Sequence, residues 1–166
     1  MKKENDIVIT RIFDAPVEMV WKMWADPEHF KKWYGPRSFT TPFCEIDFRV
    51  GGKFLTCMKP TQEMEGPDRW NKGMWTTGVY KEIVPLEKVV RTESLADEKG
   101  NIVPPTHYGL DKDYPLETLV TVTFEEWNGK TKMTLRHSGM PAGAGSEGAS
   151  QGWNQAFDKM AESLQA

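Results

Sequence analysis

The sequence predicts an α+β fold in which a curved antiparallel sheet holds one long C-terminal helix. Three observations carry that reading. The final stretch, residues 149–164, places Trp153, Phe157, Met160 and Leu164 on one helical face, with Ala156 and Ala161 beside them. Gln155, Asp158, Lys159, Glu162 and Ser163 fall on the other face, which suits water. Most of the preceding chain reads as short strands, and the links between them read as hairpins, which impose antiparallel pairing.

Taken in order, Asp6–Phe13 is β-branched and alternating, a first strand. Asp14 or Ala15 then caps a helix over Pro16–Ala25, where the missing N–H of Pro16 costs nothing and Val17, Val20, Trp21 and Trp24 face inward. Asp26-Pro27 ends it and begins a second short helix, Glu28–Tyr34, stopped by Gly35-Pro36. Thr40–Val50 alternates Cys44, Ile46, Phe48 and Val50 against Glu45, Asp47 and Arg49, a strand with one buried face. Gly51-Gly52 is expected as a tight hairpin into Lys53–Lys59. Met74–Val84 and Lys88–Ser94 follow as strands around a turn at Pro85. Asn128-Gly129 joins Leu116–Trp127 to Thr131–His137 and is the strongest hairpin signal in the chain. On the last strand Met133, Leu135 and His137 share one side. Ser138–Gly148 reads as a Gly/Ala-rich loop, and Pro60–Lys72 and Asp97–Pro115 as two long excursions, of the kind that cover something or move. A strongly twisted seven-stranded sheet has one concave face for the amphipathic helix, with the two short helices plugging one end.

At 166 residues the chain is expected to form a single domain over 1–166 with a real core. A charged share of 27% and a hydrophobic share of 39% suit a globular protein. A net charge of −3 without any basic run argues against a nucleic-acid partner. Neither a signal peptide nor an apolar stretch of membrane-spanning length is read from the sequence, so a cytoplasmic location without membrane insertion is expected. Cys44 and Cys57, the only cysteines, are expected as buried free thiols. Seven Trp, eight Phe and nine Met are unusual and suit either a plain core or a cavity of adaptable shape.

Several stretches resemble one family. They are Ile9-Thr-Arg-Ile-Phe-Asp-Ala-Pro-Val-Glu-Met-Val-Trp21, Ala25-Asp-Pro-Glu28, Lys32-Trp-Tyr-Gly-Pro36, Asp47-Phe-Arg-Val-Gly-Gly-Lys-Phe54, Gly78-Val-Tyr-Lys-Glu-Ile-Val-Pro85 and Gly152-Trp153 before a helix. Their order is similar to that in the group homologous to the activator of the ninety-kilodalton heat-shock chaperone's ATPase, within the START-like, or SRPBCC, superfamily. The resemblance implies a helix-grip (birch-pollen-allergen-like) fold. It also implies a choice of roles, because superfamily members bind lipids, steroids, polyketides or hormones, and only some are enzymes.

The residues themselves offer little chemistry. His29, His107 and His137 lack a second His or Cys at ligand spacing, so no metal is expected; His137 reads as a hydrogen-bonded interior or rim histidine. Ser138-Gly139 beside His137 reads as strand-end chemistry, and neither cysteine has an adjacent base. Glu125-Glu126 and Asp111/Asp113 read as solvated charge, whereas Glu82, mid-strand, would matter as an acid or base if it faced inward. The Gly139–Gly148 loop lacks the Lys-Ser/Thr pair of a phosphate loop.

What remains is a pocket. Its expected walls are Ile46 and Phe48, Phe54 and Met58, Met133 and Leu135, and Trp153, Phe157 and Met160. Trp75 joins them unless a bulge turns it outward; Trp24 and Trp33 close one end, and Tyr80 or His137 orients the ligand. The opposing reading is that these side chains interdigitate into a solid core. The expected partner is a small hydrophobic or amphipathic molecule, bound without cofactor and without catalysis by a monomer or homodimer. Stimulation of a chaperone ATPase and an enzyme using Glu82 or His137 are the alternatives.

Overall fold

The computed structural model describes residues 6–62, 71–140 and 144–165. Seven strands form one antiparallel sheet: β1 (Ile7–Phe13), β2 (Phe39–Ile46), β3 (Lys53–Pro60), β4 (Met74–Val84), β5 (Lys88–Ala96), β6 (Thr118–Trp127) and β7 (Lys130–Ser138). Their order across the sheet is β1-β7-β6-β5-β4-β3-β2, so the first two strands become its two edges. Short helices α1 (Val17–Ala25) and α2 (Pro27–Phe30) sit between those edges, and α3 (Ala144–Gln165) is the long terminal helix. The helix-grip architecture follows: a curled sheet around one helix, with the short pair at one end.

The register shows which side chains share the concave face. Phe54 opposes Gly78, Tyr80 opposes Arg91, Arg91 opposes Val120, and Val120 opposes His137. A Cβ at Gly78 would lie 1.8 Å from the Thr92 carbonyl oxygen and 2.6 Å from the Phe54 ring, so only glycine lets β4 and β5 approach beneath Phe54. On the concave face α3 delivers Trp153, Phe157, Met160 and Leu164, all buried. Phe157 is wholly enclosed, with ring centroids at 5.6 Å from Trp153, 6.0 Å from Trp33, 6.3 Å from Trp24 and 6.5 Å from Phe13. Trp33 donates its indole N–H to the Met23 carbonyl at 2.9 Å, which ties the turns after α2 back to α1.

The polar face of α3 is a set of clamps. Lys159 donates to the carbonyls of Tyr34, Pro36 and Phe39 at 3.4, 3.2 and 3.1 Å. Its ammonium is depressed below its ordinary pKa, chiefly by burial. Arg37 reaches both carboxylate oxygens of Glu162, and Arg11 holds Asp158 at 2.6 Å.

Several boundaries differ from expectation. The second helix has a single turn, because its chain bends after Phe30 into successive turns. β2 stops at Ile46, and residues 47–52 make a wider connection in which Gly51 donates to the Tyr80 carbonyl; a Gly-Gly hairpin of two residues does not form. Val50 is consequently exposed, while Phe48 still packs edge-on against Trp21 and Tyr80. On α1, Met23 takes a fully buried place and Trp21 only a partial one. The terminal helix starts at Ala144, inside the stretch expected as loop. Within the second excursion, Pro105–Tyr108 forms a 3-10 turn, and the Tyr108 hydroxyl bridges Trp75 N–H and the Ala96 carbonyl. Part of the first excursion, including Trp70, lies outside the described residues.

Candidate functional site

A cavity of about 230 Å³ lies between the concave face and the N-terminal half of α3. Its floor comes from Met58, Met74, Thr76, Glu93, Leu95 and Thr118 on four strands, with His137 from a fifth. The Tyr34-Gly35-Pro36 corner forms one side, and Leu110, Tyr114 and Pro115 of the second excursion form another. The helix closes it with Gly148, Ala149, Gly152, Trp153 and Ala156. Small side chains on that stretch explain the void: where α3 carries Phe157, Met160 and Leu164 the sheet is filled, and where it carries glycine and alanine it is not.

Of the expected wall residues, Met58, His137 and Trp153 border this space. The others require correction. Trp24, Trp33, Phe54, Tyr80, Met133, Leu135, Phe157 and Met160 are buried in contact with one another and form solid core. Ile46 and Phe48 are half-buried against the same core. Trp75 points to the convex side, since its register partner Cys57 alternates with inward Phe54, Thr56 and Met58, and its ring packs on Phe43 at 5.3 Å. The periodicity marked the inward residues but could not separate those that touch each other from those that leave a gap.

Glu82 does not meet the condition that would have made it an acid or base. A bulge between Tyr80 and Glu82 shifts the β4–β5 register, and the carboxylate is half-exposed beside Lys88 at 3.3 Å. Cys44 and Cys57 are free and lie on opposite faces of neighbouring strands, because Cys44 pairs with Thr56 and Cys57 with Phe43. Burial pushes the Cys44 thiol up to about 12, which makes it a poor nucleophile.

His137 is the best-defined polar group in the wall. The Trp153 indole N–H, which can only donate, lies 3.0 Å from Nδ1, so Nδ1 accepts and carries no proton. Nε2 therefore carries it and donates to the Thr118 hydroxyl at 2.8 Å, which passes its own proton toward the Glu93 carbonyl at 3.4 Å. Both ring nitrogens are engaged. Burial depresses the imidazole below its ordinary value, so it is neutral near pH 7.

Beneath the cavity lies an ion pair the sequence pattern did not reveal. Arg91 Nη2 meets Glu93 Oε2 at 2.5 Å, with the two side chains 1% and 10% exposed. The guanidinium lies over the Phe54 ring at 4.0 Å, with Phe30 at 5.2 Å and Trp24 at 5.6 Å. Burial works against its charge, but the Glu93 carboxylate outweighs burial and the guanidinium stays protonated. Arg91 Nε and Nη1, Tyr80 Oη and Thr56 Oγ1 are buried without a hydrogen-bond partner. A charged pair on a strand normally signals the solvent face, so alternation concealed this one. Among the described residues no group of His, Cys, Asp or Glu is arranged to hold a metal ion.

The family model described as "Activator of Hsp90 ATPase homolog 1-like protein" matches residues 14–165. The chain belongs to this family. No curated protein matches it. Solved structures similar to it include a protein of Chromobacterium violaceum, 22% identical over 98% of both chains with a TM-score of 0.74. A protein of Nitrosomonas europaea is 21% identical, covering 99% of this chain and 97% of that one, with a TM-score of 0.72. The AHSA1 protein of Silicibacter pomeroyi is 20% identical, covering 96% and 97%, with a TM-score of 0.73. At those identities the likeness establishes the fold, and the family's functional range is left to the chemistry of this site. No helix among the described residues is long and apolar enough to cross a membrane.

Proposed function

We propose that this family member binds a small, largely apolar molecule in the cavity between the sheet and α3, without transforming it. The observation that supports this is the cavity itself: about 230 Å³, walled mainly by Met58, Met74, Leu95, Leu110, Tyr114 and Trp153. An engineered apolar cavity of about 150 Å³ holds benzene, so this space suits a molecule of one or two rings. Binding without chemistry is favoured because His137 has both nitrogens engaged and Glu82 lies at the surface. Stimulation of a chaperone ATPase has its support in the family description alone.

The test is to incubate purified protein with cell extract and identify retained small molecules by native mass spectrometry, with Ala156→Phe as the filled-cavity control. Retention by the wild type and not by Ala156→Phe supports the reading. Absence of any retained molecule from both ends it.

A further inference from the structure

We infer that the ligand of this cavity carries a hydrogen-bond-donating, non-anionic head, a hydroxyl or an amine, received by Glu93. The inference rests on the binding role proposed above and specifies its chemistry.

Glu93 is the only carboxylate or cationic side chain lining the cavity among the described residues. An ionised carboxylate offers about four lone-pair sites, of which Arg91 takes one through Oε2. Three of the neighbouring polar groups are committed to one another or to the main chain: Trp153 donates to His137, His137 to Thr118, and Thr118 to the Glu93 main chain. None of these seeks an acceptor from a ligand. Beside them the wall holds the hydroxyls of Tyr34, Thr76, Ser94 and Tyr114, which can donate or accept, and Glu93 is its one charged acceptor among the described residues.

Arg91, with Nε and Nη1 unpartnered, has donors that would suit an anion. It does not border the cavity, however, and the rings of Phe54, Phe30 and Trp24 lie against its guanidinium. The field inside the cavity has the sign of Glu93. At Tyr34 and His137 the influence of Glu93 exceeds that of Arg91, and at Tyr114 it is the charge that acts. A carboxylate entering here would lose its hydration and meet a like charge, whereas a hydroxyl or ammonium would find an acceptor.

The experiment uses three probes with one skeleton: phenylpropanol, phenylpropylamine and phenylpropanoate, titrated against the full chain and followed by tryptophan fluorescence and calorimetry. The alcohol and the amine should bind at least about tenfold more tightly than the carboxylate. In Glu93→Gln that gap should close, with circular dichroism confirming the fold. Should Glu93→Gln fail to fold because Arg91 loses its partner, the double variant Arg91→Met with Glu93→Gln removes both charges and should close the gap equally. Equal or tighter binding of the carboxylate by the wild type overturns the inference while leaving the binding role intact. If none of the probes binds, and cell extract yields no retained molecule, both fall together.

Discussion

Protonating His137 should weaken the fold, and the structure sets both the direction and the scale. The imidazole is 5% exposed, and its Nδ1 accepts the Trp153 indole N–H. A proton on Nδ1 turns that acceptor into a second donor facing the first, inside the wall that joins β7 to α3. Burial, the largest influence, holds the folded-state pKa below the ordinary 6.5; Glu93 and Asp6 oppose the shift and Arg91 adds to it. The unfolded chain therefore binds more protons than the folded one between the depressed value and 6.5. Stability from this group is complete above the unfolded pKa and is lost as pH falls toward the folded one, by at most about 1.4 kcal/mol per pH unit. The total is bounded by the cost of orphaning a buried hydrogen bond, about 1–3 kcal/mol. With a urea m-value of about 2 kcal/mol/M, and the pH slope capping the loss at about 2 kcal/mol by pH about 5, the midpoint should drop by about 0.5–1 M between pH about 7.5 and about 5. Asp26, Asp97 and Glu162 are held below their ordinary values and titrate at more acid pH, outside this window. Urea melts followed by tryptophan fluorescence make the measurement, with His137→Gln as the control that cannot titrate. An unchanged midpoint in the wild type, or the same pH slope in His137→Gln, would refute the reasoning.

Other expectations follow from the packing. Phe157→Ala removes a ring enclosed by four others and should cost about 3–5 kcal/mol in urea or thermal unfolding; a loss under about 1 kcal/mol would mean the site collapses freely. Lys159→Met strips three carbonyls of a shared donor and should cost about 1–3 kcal/mol. Faster amide hydrogen exchange in α3 should accompany that loss, and unaltered exchange would show that the clamp holds nothing. Glu82→Gln should change stability by no more than about 0.5 kcal/mol and leave ligand retention as it was; a lost ligand would restore Glu82 to the site.

The architecture was largely legible before any coordinates. Alternation marked the strands, Asn128-Gly129 marked the last hairpin, and the spacing of Trp153, Phe157, Met160 and Leu164 marked the helix that the sheet encloses. These signals are local, because a side chain's face follows from a repeat of 2 or 3.6 residues whatever lies opposite. The stripe of small residues at Ala149, Gly152 and Ala156 was also present in the chain, and it is the one signal that pointed to where the space would be.

Tertiary structure alone decided which inward side chains meet. Phe54, Met133 and Phe157 fill their surroundings, while Met58, Leu95 and Trp153 border a gap, and that difference depends on residues far apart in sequence facing one another across the sheet. Arg91 and Glu93 drew no reading from the strand pattern; in the fold, Trp24 of α1 and Phe30 of α2 lie against Arg91, and Glu93 borders the cavity. The face of Glu82, open on strand parity alone, was settled by a bulge that shifted its register by one residue. The repeat along the chain determines what can be buried, and volume matched across the fold determines what is buried against protein and what is left facing a cavity.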